Sequence, residues 1–541
     1  MASLTTRILN SLVWVLSNVV VANGITFVRT MVLWRFLQAS DFGLNATIWM
    51  VIQSLSFLQD MGFSQALVQR RTAVEAAAAF TWYTNFFINV ALYVFFFLLA
   101  PVIATHFEAP DLELLIRVAS LTLLVRGVGT TSFALLRREF RFKTILWVNT
   151  SELVLATSAQ IALAVNGYGV WGLVWGHLAG VALRAALLIK VRPIRLGKPD
   201  LQVGREMFRF GKHVTLSAFF LWLIENMDNY FVGKHLGMVA LGFYSLAYRL
   251  SHLISSQVMR MLASVLFPAF SEIGNDYDRA RNAWLKASRY CMILITPMAV
   301  GLMAFAPEII LGFYPQKCGI AVIPTIVLTF FAWCRGFGTT LGDLARGIGK
   351  PELVSRAASI HMCIMAPALY LAVHAVDGLA ALGATMFEPG SPATLWFTAL
   401  LAASSLQISL IAVSAAVSGT AIFAIAWTFH ECSRETGLTV STAFRAVVPA
   451  LGAGGVMAIA GGLAKAAVYS FSGGRLVALF LAGPLSLAVY AACIWVFYPD
   501  VVTELRSLLQ KRKADARKKN EAKAAAAESE RDAAKVPAEV R

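Results

Sequence analysis

Two arginines lie inside apolar stretches of the chain and are followed by nearly the same residues. Arg126 begins the sequence RGVGTT, and Arg335 begins RGFGTT 209 positions later. A guanidinium suits an anionic ligand, because its planar fork donates two parallel hydrogen bonds and stays charged at any working pH. Both arginines lie about 16 Å from the inner edge of their segments, near the middle of a bilayer. They are therefore candidates for anion binding.

Other charged and polar residues reach a comparable depth. They are Arg29, Asp60, Arg260 and the cluster Glu225, Asp228 and Asn229. Such groups are costly in a membrane and usually face the interior of a helix bundle or a wet cavity. Glu225 and Asp228 are three positions apart and share a helix face. We expect these two carboxylates, with Asn229 and Asp60, to couple or gate a conformational change through protonation or cation occupancy.

Two interpretations of Arg126 stay open. Glu152 lies about 14 Å from the inner edge of its own segment, so it can neutralise Arg126 as a structural ion pair. Alternatively, Arg126 holds a ligand. The position equivalent to Glu152 in the second half of the chain is His361, and a neutral histidine does not offset a positive charge. Arg335 is therefore the stronger candidate for a ligand contact.

The elements that must position these residues are membrane spans. Of the 541 residues, 58% are hydrophobic and only 14% are charged, unlike a soluble domain. Apolar runs of roughly 20 residues or more can be laid out about 14 times. The sequence therefore predicts an all-α integral membrane protein with about 14 transmembrane helices. The six cysteines stand singly, which indicates neither a disulfide framework nor a zinc site.

Basic residues are concentrated in one set of loops. The loops RREFRFK and IKVRPIRLGK and the tail KRKADARKK are rich in Lys and Arg, whereas THFEAPD and YSFSGG have almost none. By the positive-inside rule, the basic loops and both termini face the cytoplasm, so the number of spans is even. The net charge of +16 then reflects membrane topology, and we expect no nucleic-acid partner. No outer loop is long enough for a soluble domain, which argues against an enzyme acting on the far side of the membrane.

An internal repeat divides the chain. A shift of 209 residues aligns the two RG-GTT motifs, and a shift of 199 aligns RFLQASDFGLNATIW with KHLGMVALGFYSLAY. This indicates two copies of a six-helix unit, with two helices appended. The resulting boundaries are an N-lobe at 1–190, a basic linker at 191–212, a C-lobe at 213–435, two helices at 436–498 and a charged cytoplasmic tail at 499–541. Transporters with parallel repeats place their substrate site between the halves.

The stretch FLQASDFGLNATIWMVIQSLSFLQDMGFSQALVQRR resembles the opening of polysaccharide-export flippases, which belong to the multidrug/oligosaccharidyl-lipid/polysaccharide exporter superfamily. ENMDNYFVGKHLGMVALGFYSLAYRL, VLFPAFSEI and RGIGKPELV are similar to the second half of these proteins. The resemblance runs from about Thr5 to about Val376. It implies two six-helix lobes in a V around a central cavity, which is lined largely by helices one, two, seven and eight. The residues after Leu379 depart from the short outer turn of the family.

The resemblance also implies a function. The expected cargo is a polyprenyl-pyrophosphate-linked oligosaccharide, which is carried across the bacterial inner membrane by alternating access for exopolysaccharide or lipopolysaccharide biosynthesis. The candidate pyrophosphate ligands are Arg335, Arg260, Arg29 and Arg126. We expect no cofactor and no metal site, with proton or sodium coupling as the energy source to test. The expected partners are membrane lipids, the polysaccharide polymerase and the chain-length machinery, and the flippase itself is expected to be a monomer.

Two alternatives remain at this point. A drug or cation antiporter would share the fold, but its cavity should be anionic and should lack Arg335 and Arg260. A membrane-embedded polysaccharide polymerase or ligase should carry a large outer loop with catalytic groups, and no such loop is found in the sequence.

Overall fold

The computed structural model describes residues 21–70, 73–194, 197, 222–273, 276–375, 378, 392–471, 474–499 and 503. The side chains of some residues inside its helices, Arg260 among them, are outside the described set. Throughout the described ranges the regular structure is helical, and these ranges contain no β-strand. This confirms the predicted fold class. Helices are expected here because lipid offers no hydrogen bonds, so each backbone group must find its partner within the segment.

The first half of the chain forms nine helices in its described residues. They are α1 (21–36), α2 (Ala39–Gln53), α3 (Ser56–Asp60), α4 (Phe63–Gln69), α5 (Val74–His106), α6 (Leu112–Ala119), α7 (Leu121–Arg138), α8 (Phe142–Val165) and α9 (Gly169–Val191). We call this set the N-lobe. Between α3 and α4 the backbone turns through the left-handed region at Met61 (φ 44°) and Gly62 (φ 74°), which breaks the span into two short helices.

The second half follows the same order with fewer and mostly longer helices. They are α10 (222–231), a π-helical turn (Val232–Leu236), α11 (Gly237–Ile273), α12 (Tyr277–Phe313), a 3₁₀ turn (Gln316–Ala321), α13 (Val322–Gly347), α14 (Pro351–Val373) and α15 (Pro392–Thr436). We call this set the C-lobe. Two further helices follow, α16 (Val440–Phe471) and α17 (Arg475–Phe497).

Nine helices among the described residues are long and apolar enough to cross a membrane. The most apolar of them is Val74–His106, with a mean hydropathy of 2.5 in its central window. The protein is therefore a multi-pass membrane protein. The total of about 14 spans stays a prediction, because several segments of the repeat are shorter or lie partly outside the described residues.

The helix boundaries reproduce the sequence repeat. α7 ends at Arg138 and α13 ends at Gly347. These two ends are separated by 209 residues, which is the shift that aligns the two RG-GTT motifs. α8 and α14 begin at Phe142 and Pro351, which are separated by the same shift. The repeated sequence therefore corresponds to repeated helices, whereas the bounds of the five segments stay predictions.

The two lobes meet along α2 and α11, where glycines allow close backbone contact. A Cβ atom on Gly43 would lie 1.8 Å from the carbonyl oxygen of Met238, and one on Gly242 would lie 1.9 Å from that of Ala39. No side chain fits at either position. The contact is reciprocal, since the shift of 199 aligns these two glycines. The repeat therefore also forms the interface between the lobes.

Candidate functional site

A cavity of about 280 Å³ with several charged residues in its lining lies inside the C-lobe, between α10, α11, α13, α14 and α15. Glu225 and Asp228 reach it from α10, Arg335 from α13 and His361 from α14. The prediction that Glu225 and Asp228 share one face of their helix is confirmed, because both line this cavity. Four residues identified from the sequence are thus brought together at one place.

Arg335 has an acidic partner in this cavity. Its Nη2 atom lies 3.2 Å from Oε1 of Glu225, and the two side chains are 39% and 53% exposed. The expectation that His361 left Arg335 without a neutralising neighbour was wrong, because α10 brings a carboxylate to α13 across the lobe. The Nε2 atom of His361 lies 3.4 Å from the hydroxyl of Thr420. The cavity therefore contains a paired guanidinium that water can reach.

Asp228 lies deeper than Glu225. It is 1% exposed, and its Oδ2 atom accepts a 2.7 Å hydrogen bond from the hydroxyl of Tyr244. The backbone N–H of Asn229 donates to its Oδ1 atom at 2.8 Å, and the Asn229 side chain is half-buried. A buried carboxylate in a membrane segment needs such donors. The coupling role predicted for Asp228 and Asn229 stays a prediction.

The N-lobe contains a matching cavity of about 210 Å³ between α3, α7 and α9. Arg126, Gly129 and Thr130 line it, and their repeat equivalents Arg335, Gly338 and Thr339 line the C-lobe cavity. In both copies the threonine hydroxyl bonds the carbonyl oxygen of the arginine, at 2.8 Å for Thr130 and 2.9 Å for Thr339. Each copy of the motif therefore lines one internal cavity.

Among the described residues Arg126 and Glu152 form no direct ion pair, although the charge of Glu152 acts on Arg126. Oε2 of Glu152 lies 3.5 Å from Nε of Arg184 on α9, whereas Nη2 of Arg126 lies 3.2 Å from Nε2 of His177. The reason is the tight packing of α8 on α9. A Cβ atom on Gly180 would lie 2.8 Å from the carbonyl oxygen of Glu152, so the helices touch there and Arg184, one turn further, reaches the carboxylate.

A pair of arginines lies where the lobes face each other. Arg29 of α1 donates to Oε1 of Gln160 at 3.3 Å, and Arg249 of α11 donates to the hydroxyl of Thr30 at 3.4 Å. The two guanidinium charges repel each other. Among the described residues, neither arginine forms an ion pair with a carboxylate. Together they form a cationic surface between the lobes.

Sequence reasoning missed Arg249. It selected Arg260 as the charged residue of this helix, although Arg249 is an equally isolated charge in the apolar stretch LGFYSLAYRL and was therefore detectable. Arg260 lies in α11, but its side chain is outside the described residues, so its proposed contact with pyrophosphate stays a prediction.

Asp60 lies at the break between α3 and α4 and not inside a continuous helix. Its carboxylate accepts hydrogen bonds from the backbone N–H and the hydroxyl of Ser64, the latter at 2.6 Å. The side-chain amide of Asn85 donates to it at 3.1 Å. Asp60 therefore binds the first turn of α4 from the end of α3, two residues before the N-cap residue Gly62.

The two lobes contact each other at one end of their helices. The distribution of charge in the loops predicts that this end faces the outside. Lys234 of the π-helical turn lies 2.8 Å from Oε1 of Glu108, which follows α5. The Nε2 atom of His106 lies 3.0 Å from the hydroxyl of Tyr230, and Lys317 donates to the carbonyl oxygen of Leu37 at 2.7 Å. With the contact of α2 and α11, these bonds close this end of the interface.

The repeated helices and charged internal cavities are those of a multi-pass membrane transporter. The family described as "Polysaccharide biosynthesis protein" matches residues 32–322, more than half of the chain, and the protein belongs to this family. This confirms the resemblance inferred from the sequence motifs.

Named relatives agree with this assignment. The succinoglycan biosynthesis transport protein ExoT of Rhizobium meliloti is 27% identical over 372 residues, covering 63% of this chain and 74% of ExoT. The lipopolysaccharide biosynthesis protein WzxC of Escherichia coli is 24% identical over 356 residues, covering 65% of this chain and 72% of WzxC. Among solved structures, the lipid II flippase MurJ in an inward closed conformation has a TM-score of 0.62 at 15% identity, covering 89% of this chain and all of MurJ. That similarity concerns the fold.

Proposed function

We propose that this protein carries a polyprenyl-pyrophosphate-linked oligosaccharide across the bacterial cytoplasmic membrane for the synthesis of a surface or secreted polysaccharide. The observation that carries the proposal is the pair formed by Arg29 and Arg249 between the lobes, without a carboxylate partner in the described structure. Membership of the polysaccharide biosynthesis family supports a glycan cargo, as do the names of ExoT and WzxC.

The chemistry of the cargo fits this arginine pair. A diphosphate carries several oxygens that accept bidentate hydrogen bonds from guanidinium groups. Two neighbouring cations that repel each other are stabilised when an anion binds between them. Arg29 and Arg249 belong to different lobes, so one bound diphosphate would link both halves of the protein. The binding of this diphosphate would therefore depend on the relative position of the two lobes.

The transport cycle that we envisage is alternating access. The contacts of Glu108 with Lys234 and of His106 with Tyr230 hold the predicted outer end closed, so the cargo would enter from the cytoplasmic side. Release would require these contacts to break while the cytoplasmic ends of the lobes approach each other. The lipid chain would stay in the bilayer at the open side of the interface, and the glycan would pass through the wet space between the lobes.

Energy coupling is assigned to the C-lobe cavity. Glu225 faces water and pairs with Arg335, whereas Asp228 is buried one turn away. Binding of a proton or a sodium ion by one of these carboxylates would change the charge of the cavity and favour one arrangement of the lobes. In this proposal the coupling ion and the cargo bind at separate sites.

The geometry gives less support to an antiporter of drugs or cations. Such a protein would use an anionic cavity, but the carboxylate of Glu225 is paired with Arg335 and the interlobe surface is cationic.

We also propose that the polytopic chain lies in the inner membrane with both termini in the cytoplasm and acts without catalysis. It would work as a monomer beside the polysaccharide polymerase and chain-length machinery.

A deletion strain tests this function. One surface or secreted polysaccharide should disappear, and its lipid-linked repeat unit should accumulate on the cytoplasmic side of the membrane. Restoring the wild-type gene should reverse both effects. If the repeat unit does not accumulate and only resistance to cationic drugs changes, the protein is an antiporter and the proposal is wrong.

A further inference from the structure

A buried glutamine holds one of the two interlobe arginines. Gln160 lies on α8 in the N-lobe and is 5% exposed. Its Oε1 atom accepts the 3.3 Å hydrogen bond from Nη1 of Arg29. A carboxylate at this position would bind the guanidinium more strongly than a neutral amide does. The presence of an amide beside this arginine therefore calls for a physical reason.

The orientation of the Gln160 amide is fixed from both sides. Its Nε2 atom donates to the backbone carbonyl oxygen of Leu173 on α9 at 2.9 Å. If the amide were turned over, its N–H groups would face the donating guanidinium of Arg29, and its oxygen would face a carbonyl oxygen. The amide oxygen therefore points toward Arg29.

Close packing of α8 on α9 also restrains this side chain. A Cβ atom on Gly176 of α9 would lie 2.5 Å from Cγ and 2.7 Å from the backbone nitrogen of Gln160. Leu173, which accepts the amide N–H, is 3% exposed. A side chain packed this closely in a protein interior has little freedom to change its conformation. Gln160 is therefore a rigid acceptor for the more mobile arginine side chain.

Comparison of the two copies of the repeat shows that the amide accompanies the arginine. The shift of 199 aligns Arg29 with Asp228, and the shift of 209 aligns Gln160 with Leu369. Leu369 is fully buried, so the second copy places an apolar side chain where the first has an amide. Asp228 is bonded by the hydroxyl of Tyr244 instead. The helix packing of the repeat therefore does not require a polar group at this position.

We propose that Gln160 is a positioning residue for the cargo, which holds the guanidinium of Arg29 between the lobes and leaves its positive charge available to the diphosphate. This inference rests on the proposed function, in which Arg29 and Arg249 bind the diphosphate. A carboxylate at position 160 would cancel the charge of Arg29, and the diphosphate would have to displace it. The amide satisfies one N–H group of the guanidinium without this competition.

Binding of inorganic pyrophosphate to the purified protein tests this role, together with the rate of flipping in proteoliposomes. Gln160→Glu should raise the dissociation constant at least about tenfold, because the new carboxylate pairs with Arg29. Gln160→Leu should raise it less, since Arg29 keeps its charge and loses only its acceptor. Gln316→Glu is the matched control and should change neither quantity. Gln316 also accepts a 3.3 Å bond from an arginine, Arg475, but both side chains are exposed at the predicted outer end.

A double-mutant cycle separates positioning from a structural role. In an Arg29→Gln background, where Arg249 still binds the anion, Gln160→Glu should cause no further loss of binding or flipping. An equal loss in both backgrounds would show that Gln160 acts on the fold and not through Arg29. Wild-type binding by Gln160→Glu would also overturn the proposal. If that variant does not accumulate, Gln160→Leu decides, and its binding pyrophosphate as the wild type does would contradict the role.

These outcomes differ from a failure of the proposed function. If the wild-type protein flips the lipid-linked saccharide and Gln160→Glu does so equally well, only the positioning role is wrong. If the wild-type protein does not bind pyrophosphate and the deletion strain accumulates no lipid-linked repeat unit, the cargo assignment is wrong and the role of Gln160 falls with it.

Discussion

The guanidinium of Arg335 lies 3.2 Å from the carboxylate of Glu225, and the pair connects α13 with α10 across the C-lobe cavity. Both side chains remain in contact with water, so the ion pair is weak and can exchange partners. Arg335 can therefore exchange Glu225 for another anion at little cost, and the proposed coupling role of this pair can be tested by substitution.

Substitutions at Arg335 test this interpretation. Arg335→Ala should stop polysaccharide export while the protein inserts at normal abundance, because the exposed Glu225 does not require a partner to fold. Arg335→Lys keeps the charge but loses the planar fork, so export should fall only partly. Export is measured as polysaccharide per cell in the complemented deletion strain, with abundance from immunoblots. Wild-type export by Arg335→Ala, or failure of that variant to accumulate, would assign the residue a structural role.

Arg184 should matter more for stability than Arg126. Removing Arg184 leaves the carboxylate of Glu152, which is 18% exposed, without its ion pair, and we expect a loss of about 1–3 kcal/mol. Arg126→Ala should lower the stability less, because Arg126 contacts His177, and a histidine can stay neutral when its partner is removed. The melting temperatures of the purified variants provide the measurement. Glu152→Gln should restore stability to Arg184→Ala, and a lack of rescue would mean that this pair is not the cause.

Crosslinking at the outer end should stop transport. Cysteines at Glu108 and Lys234 joined by a cleavable thiol reagent would hold the lobes in the closed arrangement, and cleavage should restore export. The matched control places cysteines at Glu113 and Arg117, which form an ion pair within α6 alone. If crosslinked Glu108→Cys/Lys234→Cys protein still exports, these contacts do not need to open.

The same contact predicts a dependence on external pH. The hydrogen bond and charge of Lys234 hold the pKa of Glu108 below its usual range. A carboxyl group with a lowered pKa stabilises the closed arrangement above its ordinary pKa and loses this effect as pH falls through the lowered value. The distance between spin labels, attached at neutral pH to cysteines in place of Glu113 and Val239, should therefore increase below about pH 4. Glu108→Gln should remove this dependence, and an unchanged pH profile in that variant would exclude Glu108 as its origin.

The repeat made much of the fold predictable from the sequence. The shift of 209 predicted that α7 and α13 end at equivalent positions. The shift of 199 aligned Gly43 with Gly242, but their reciprocal contact was found only in the structure. Duplicated helices keep their lengths and their small residues where backbones meet.

The partners of the buried charges were not predictable in the same way. Counting residues gives the depth of Glu152, but it does not give the direction in which the side chain leaves its helix. Arg184 reaches Glu152 because Gly180 packs closely on α8. Glu225 reaches Arg335 because α10 lies beside α13. Arg249 was visible in the sequence, but only the fold places it opposite Arg29.

The rate of flipping in proteoliposomes tests the central claim most directly. The substrate is a polyprenyl-pyrophosphate-linked saccharide, and the protein variants are Arg249→Gln and Arg249→Lys, with Arg117→Gln as a control at the outer end. The account predicts that Arg249→Gln lowers flipping at least about tenfold, because a charged bidentate contact with the diphosphate is lost. Arg249→Lys should retain part of the rate, and Arg117→Gln all of it. Wild-type flipping by correctly inserted Arg249→Gln protein would contradict the account.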